Sequence, residues 1–185
     1  MTRRAREDWL DAGLAILRTR GHDALTIETL CQALDRTKGS FYHHFTDASA
    51  FARALLEHWE ARSTHALIAI ADASKDASPK GRRARLYGLV REAEVGVNRA
   101  IQAWALRDPV ARKICARVDR QRVDYLTELR RASGVKPVLA ARMASIEYAT
   151  FLGALSLFDL PNPEGWKAFE KANALLLRAL DGLNE

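Results

Sequence analysis

Cysteine is scarce in this chain. Cys31 and Cys115 are the only two in 185 residues, far apart and flanked by apolar neighbours. The pattern predicts two buried thiols rather than a disulfide, which suits a reducing, cytoplasmic setting. Long apolar runs are missing too. The best, from Ala149 to Phe158, is about half of the ~18 residues that suggest a membrane helix, so no membrane association is expected. The N-terminal MTRRARED carries acids and leads into no apolar stretch, unlike a secretion signal. GxSxG, HExxH, CxxC, a Walker-type loop and a dinucleotide fingerprint are all absent. Glu92 and Glu94 sit two apart on a helix and face different ways. His43 and His44 are adjacent, so on a helix they point about 100° apart and cannot readily share an ion. No enzyme activity, cofactor or metal site is therefore expected, and no stretch alternates as a strand does.

What is present is helical periodicity and charge. The 48% apolar content supports a packed core. The formal charge is +6, a hint of nucleic acid whose location matters more than its size. Residues 1–50 hold seven Lys/Arg and seven Asp/Glu, whereas Lys80 to Arg142 hold sixteen basic and six acidic residues. That excess reads as solvated helix faces, because Asp108, Asp119, Asp124 and Glu128 interleave with the arginines. An anionic ligand or extra phosphate contacts are the alternatives.

Apolar residues recur at three- and four-residue spacing along most of the chain. Trp9, Gly13, Ile16 and Leu17 mark a first helix that Gly21 ends. Thr26 caps a short helix carrying Ile27, Leu30, Cys31 and Leu34. A third helix spans about Thr37 to Phe45, and Asp47 caps a long fourth. Asp72 to Gly81, with Pro79, reads as a loop. A helix holding Leu86, Leu89, Val90, Ala93 and Val97 follows, then a shorter one with Trp104. Helices from Pro109 to about Ser133, from Pro137 to about Phe158, and from Pro163 to about Gly182 complete an all-α chain of about nine helices.

The informative segment is Gly21 to Phe45, GHDALTIETLCQALDRTKGSFYHHF. Two short helices joined by a tight turn make a helix-turn-helix, whose second helix enters the major groove of double-stranded DNA. On a helical wheel Phe41 and Phe45 fall together and should face the core, while Gly39 and His43 face the bases. Lys38 and Tyr42 form one flank; Thr37, Ser40 and His44 form the other. Their hydroxyl and ammonium groups suit phosphate oxygens, and bare Gly39 lets DNA come close.

Gly21, Thr26, Ile27, Leu30 and the octet KGSFYHHF (38–45) resemble the TetR (tetracycline repressor) family of bacterial regulators. Chain length, helix count and AWALRDP (103–109) extend the resemblance more loosely. It implies an all-helical homodimer, with residues 1–47 binding DNA and 48–185 binding a ligand and dimerising. It implies that Thr26, Thr37, Lys38, Ser40, Tyr42 and His44 contact phosphates, and that Gly39 and His43 approach bases. The sequence departs from the family at three places. Asp35 stands where the family has a turn glycine; aspartate tolerates left-handed geometry better than most residues. Arg36 replaces a small aliphatic residue, so that its stem lies over the core or its guanidinium reaches DNA. Ala48 and Ser49 stand where a lysine is common.

The resemblance implies a repressor released from a palindromic operator by a small-molecule effector that selects a conformer with misplaced reading heads. The alternative is a helical ligand-binding or scaffold protein with weakened DNA binding. Tyr87, Asn98, Gln102, Trp104 and Tyr125 are candidates for the effector site, or plain core residues. Ile146, Ala149, Gly153 and Leu157 on one C-terminal helix, and Leu176, Leu180 and Leu183 on the next, are candidates for the dimer face or the monomer core.

Overall fold

The computed structural model describes residues 3–93, 95–160 and 162–182, which are helical with short connections and, among the described residues, contain no strand. The helices are α1 (Arg3–Arg20), α2 (Ile27–Leu34), α3 (Lys38–His44), α4 (Ala48–Glu60), α5 (Ala66–Asp72), α6 (Pro79–Glu92), α7 (Val95–Ala105), α8 (Pro109–Ala132), α9 (Pro137–Leu157) and α10 (Pro163–Gly182). A 3-10 turn (His22–Ala24) links α1 to α2. A π turn at Ala61–His65 joins α4 to α5 without interruption, so the described residues form nine helical runs, and the expected all-α class holds.

The boundaries follow local chemistry. Thr26, Thr37, Asp47 and Ser78 each accept a hydrogen bond from the backbone N–H three residues on, satisfying a donor that the first helical turn leaves open. Prolines begin α6, α8, α9 and α10, where a missing N–H costs nothing. Pro79 is one of these, so the expected loop to Gly81 is shorter: the helix starts at Pro79 behind the Ser78 cap. The helix expected to run from Leu86 through Val97 is broken. Ala93 turns to extended backbone (φ −77°, ψ 157°), and Val97 belongs to α7. Neither proline nor glycine marks that break in the sequence.

The chain divides into two compact units. One runs through Arg62 and takes in Val97–Ala116; the other holds Ser63–Gly96 and the chain from Arg117 onward. The unit that holds the helix-turn-helix also takes in α4, most of α7 and the start of α8. In it Trp9, Leu17, Phe41, Leu55 and Ile101 are fully buried. Helices α1 and α4 meet closely at Gly13, where an added Cβ would stand 2.9 Å from Phe51 Cζ and 3.0 Å from Leu55 Cδ1. Both side chains are packed in, so Gly13→Ala is expected to cost about 1–3 kcal/mol by overpacking, read as a lowered midpoint in urea.

The second unit is organised by apolar clusters and by arginines. Many of the basic residues between Lys80 and Arg142 are not free solvated charges. Buried Arg130 of α8 donates to Glu147 of α9 through Nε (3.0 Å) and Nη2, and to Asp181 of α10 through Nη1 (3.1 Å). Arg83 pairs with the same Asp181 at 3.3 Å. Arg122 donates to the Ser63 carbonyl oxygen (3.3 Å) and to Thr64 Oγ1 (3.0 Å), both within the π turn. Such a turn leaves carbonyls misaligned with the α-helical ladder, and the guanidinium supplies donors to one of them. By length and composition α9 alone, among the described helices, could cross a membrane; here its apolar face packs with Val135 and Leu180 on one stretch and Phe169 on another. Of the two thiols, Cys115 is buried as expected, but Cys31 is only half-buried; neither forms a disulfide.

Candidate nucleic-acid interface

The helix-turn-helix is built from α2, a left-handed turn and α3. Asp35 adopts φ 50°, ψ 50°. Its N–H donates to the Gln32 carbonyl oxygen (3.4 Å), and the Arg36 N–H to that of Cys31 (2.9 Å), the two-bond closure of a Schellman motif. Aspartate thus fills the expected glycine position in the expected geometry. The Arg36 guanidinium donates to Asp8 Oδ2 of α1 at 3.1 Å, so this half-buried side chain ties the turn to the first helix.

On α3 the expected division of faces is present. Phe41 is 0% exposed and Phe45, just past the helix, 3%. Phe41 lies 5.5 Å from Trp9, edge-on, and 5.3 Å from Phe45. Lys38, Gly39, Tyr42 and His43 are exposed, and Ser40 and His44 half-buried. Thr26 and Thr37 are exposed, their hydroxyls engaged in capping. Lys38 Nζ stands 3.6 Å from Glu28 on α2. A Cβ on Gly39 would meet only Thr37 Oγ1, at 3.8 Å, so nothing in the fold itself demands glycine there. Partial burial, followed by nearby His43, Arg36 and Arg6, holds the His44 imidazole below its ordinary proton affinity.

The five effector candidates fall in both units. Asn98, Gln102 and Trp104 lie on α7 in the first. Asn98 Oδ1 accepts from buried Trp59 Nε1 at 3.1 Å, and Gln102 is half-buried. Trp104 stacks on His22, with ring centroids 4.4 Å apart, and its indole N–H is buried without a partner. His22 belongs to the 3-10 turn beside the helix-turn-helix, a contact that no spacing in the sequence announces. Tyr87 and Tyr125 lie in the second unit, and carboxylates hold both phenols. Tyr87 donates to Glu147 Oε1 and Tyr125 to Asp72 Oδ1 (2.7 Å); burial first, then these carboxylates, push both phenols well above their ordinary values.

An α-helical unit that caps two short helices around a left-handed turn, and turns the polar side of the second outward, defines a helix-turn-helix DNA-binding protein. Residues 10–55 match the family described as bacterial regulatory proteins, tetR family, so this segment has the makeup of that family's DNA-binding domain. No curated protein matches the chain. Among solved structures it is similar to Escherichia coli NemR in its reduced form, at 19% identity over 93% of this chain and 95% of that one, with TM-score 0.78. It is similar to a TetR transcriptional regulator from Legionella pneumophila at 11% identity, over 100% and 98% of the two chains, with TM-score 0.80. It is also similar to the multidrug binding protein EbrR complexed with malachite green, at 24% identity over 94% and 96%, with TM-score 0.63. At these identities the likeness is one of fold.

Proposed function

We propose that the chain is a cytoplasmic, homodimeric repressor that holds a palindromic operator and leaves it when a small-molecule effector binds. It acts by binding and not by catalysis. The observation that carries this reading is the outward face of α3: exposed Gly39 and His43 between flanks of Lys38, Tyr42 and Thr37, on a helix anchored by Phe41 and Phe45. The open space above Gly39 suits close approach of a base edge or sugar. Lys38→Ala is expected to weaken binding to all duplexes and to flatten the salt dependence by about one unit; His43→Ala is expected to change which duplexes are preferred. Fluorescence anisotropy on a set of operator variants separates the two, and identical profiles for both variants would contradict the assignment. Addition of the effector should release the bound duplex in the same assay.

Support for an effector is the fold shared with EbrR, itself complexed with malachite green, and the unpartnered indole N–H of buried Trp104, a donor for a polar group on a small ligand. Support for the dimer is the free face of the last two helices. Val138, Ile146 and Leu157 of α9 and Leu175 of α10 are exposed, and a Cβ on Gly153 meets nothing within 4 Å. Leu180 does not belong to that face. It is 5% exposed and packs with Val135, Ala140 and Met143, with Leu176 against them; its ring of apolar neighbours lies inside the protomer. Leu183 lies outside the described residues. Gly153→Glu is expected to shift the protein to monomer in sedimentation at micromolar concentration, because an interfacial charge without a partner is costly, while Leu180→Glu would unfold the protomer instead.

A further inference from the structure

The reading head has little free positive charge for a surface that docks on a polyanion. Residues 1–50 hold equal numbers of acids and bases. Lys38 has Glu28 beside it, and Arg36 has Asp8. The C-terminal end of α3 differs. The His43 and His44 rings lie 5.2 Å apart, His44 is 6.3 Å from the Phe45 ring, and the Arg6 guanidinium sits over that same ring at 5.0 Å. The charged groups gathered here are Arg6 and Asp8 from α1, Arg36 from the turn and His43 from α3. Asp8 is committed to Arg36, and Asp47, next along the chain, caps α4 through the Ala50 N–H. Among the described residues no carboxylate pairs with His44.

We propose that DNA binding by this protein is coupled to protonation of His44, the phosphate contacted at this cluster drawing a proton onto the imidazole. The proposal rests on the DNA-binding reading above and adds its regulation by pH. In the free protein, partial burial and the neighbouring positive groups hold His44 below its ordinary proton affinity. A phosphate oxygen reverses the local field and accepts a charge-assisted hydrogen bond. The C-terminal end of α3, where His44 sits, favours a cation as well. The sign follows from linkage. The proton affinity is low when free and raised when bound, so a proton is taken up on binding at pH values between the two. Affinity then rises as pH falls through that interval, by up to about one decade per pH unit for one proton.

The test uses the full-length protein and a duplex that it selects from a random-sequence pool at pH 6.0. Binding is measured by anisotropy at constant ionic strength from pH 6.0 to 7.5, and proton uptake by calorimetry in two buffers of different ionisation enthalpy. The wild type is expected to bind about tenfold tighter at pH 6.0 than at pH 7.5, with uptake approaching one proton. His44→Gln should lose that dependence and bind at pH 6.0 about as weakly as the wild type does at pH 7.5. Arg36→Gln, which removes a neighbouring cation, should move the transition to higher pH. His43→Gln should keep the slope. Binding that is flat with pH, or a slope that survives His44→Gln and disappears with His43→Gln, overturns the proposal and leaves the DNA-binding reading intact. Failure to select any duplex overturns both. Circular dichroism of each variant separates lost folding from lost linkage.

Discussion

Phe41→Ala is expected to abolish DNA binding without touching a DNA-facing atom. The Phe41 ring is 0% exposed and is surrounded by aromatics: Trp9 edge-on at 5.5 Å, Phe45 at 5.3 Å and Phe51 at 5.5 Å. Deleting a buried phenyl costs about 3–5 kcal/mol, from lost transfer energy and the cavity left behind. Helix α3 has only seven residues, too short to persist in water without its packing. The loss should therefore fall on the orientation of the reading helix before the rest of the chain is affected. Thermal melts should show an early loss of helix from the first unit, and anisotropy should show no binding to any duplex. A variant that keeps operator affinity would mean that α3 is not anchored through this ring.

The second large effect is expected in the other unit, at Glu147. This carboxylate is 4% exposed and Arg130 is 2% exposed. Arg130 donates to Glu147 twice, and Tyr87 donates to its other oxygen. Glu147→Ala takes the carboxylate away from a buried guanidinium and a half-buried phenol. Breaking a buried pair from one side costs about 3–5 kcal/mol. Asp181 remains as a partner for Arg130 at 3.1 Å, but it is half exposed and shared with Arg83, so it offsets only part of the loss. Replacing the group together, Arg130→Met with Glu147→Leu and Tyr87→Phe, should recover most of the stability, because apolar groups of similar volume avoid the desolvation cost. Urea denaturation of the single and triple variants checks this. A triple variant as unstable as Glu147→Ala would mean that the network's geometry, and not its unpaired charge, governs stability.

The reading helix was largely legible from spacing. Phe41 and Phe45 are four residues apart, which alone puts them on one face, and Thr26, Thr37 and Asp47 act through bonds to the N–H three residues on. Every one of those interactions is closed within one helical turn, so the order of residues suffices to define it. The same holds for Asp35, whose short polar side chain tolerates the left-handed turn.

The arginines were not legible in this way. Arg130 and Glu147 are 17 residues apart, Arg83 and Asp181 98. A local charge count therefore missed the interhelical ties of Arg83, Arg122 and Arg130, while Arg107, Arg112, Arg120 and Arg131 are exposed as it expected. The contact of His22 with Trp104 and the inward turn of Leu180 belong to the same kind. The sequence by itself determined most of the helices, the caps at Thr26 and Asp47 and the outward face of α3, because those depend on backbone bonds and periodicity within a few residues. The tertiary structure decided which charges are paired, which apolar stripe is core and which is left exposed. Each of those outcomes depends on what a second helix, far along the chain, brings to within about 4 Å, the range over which packing and ion pairs act.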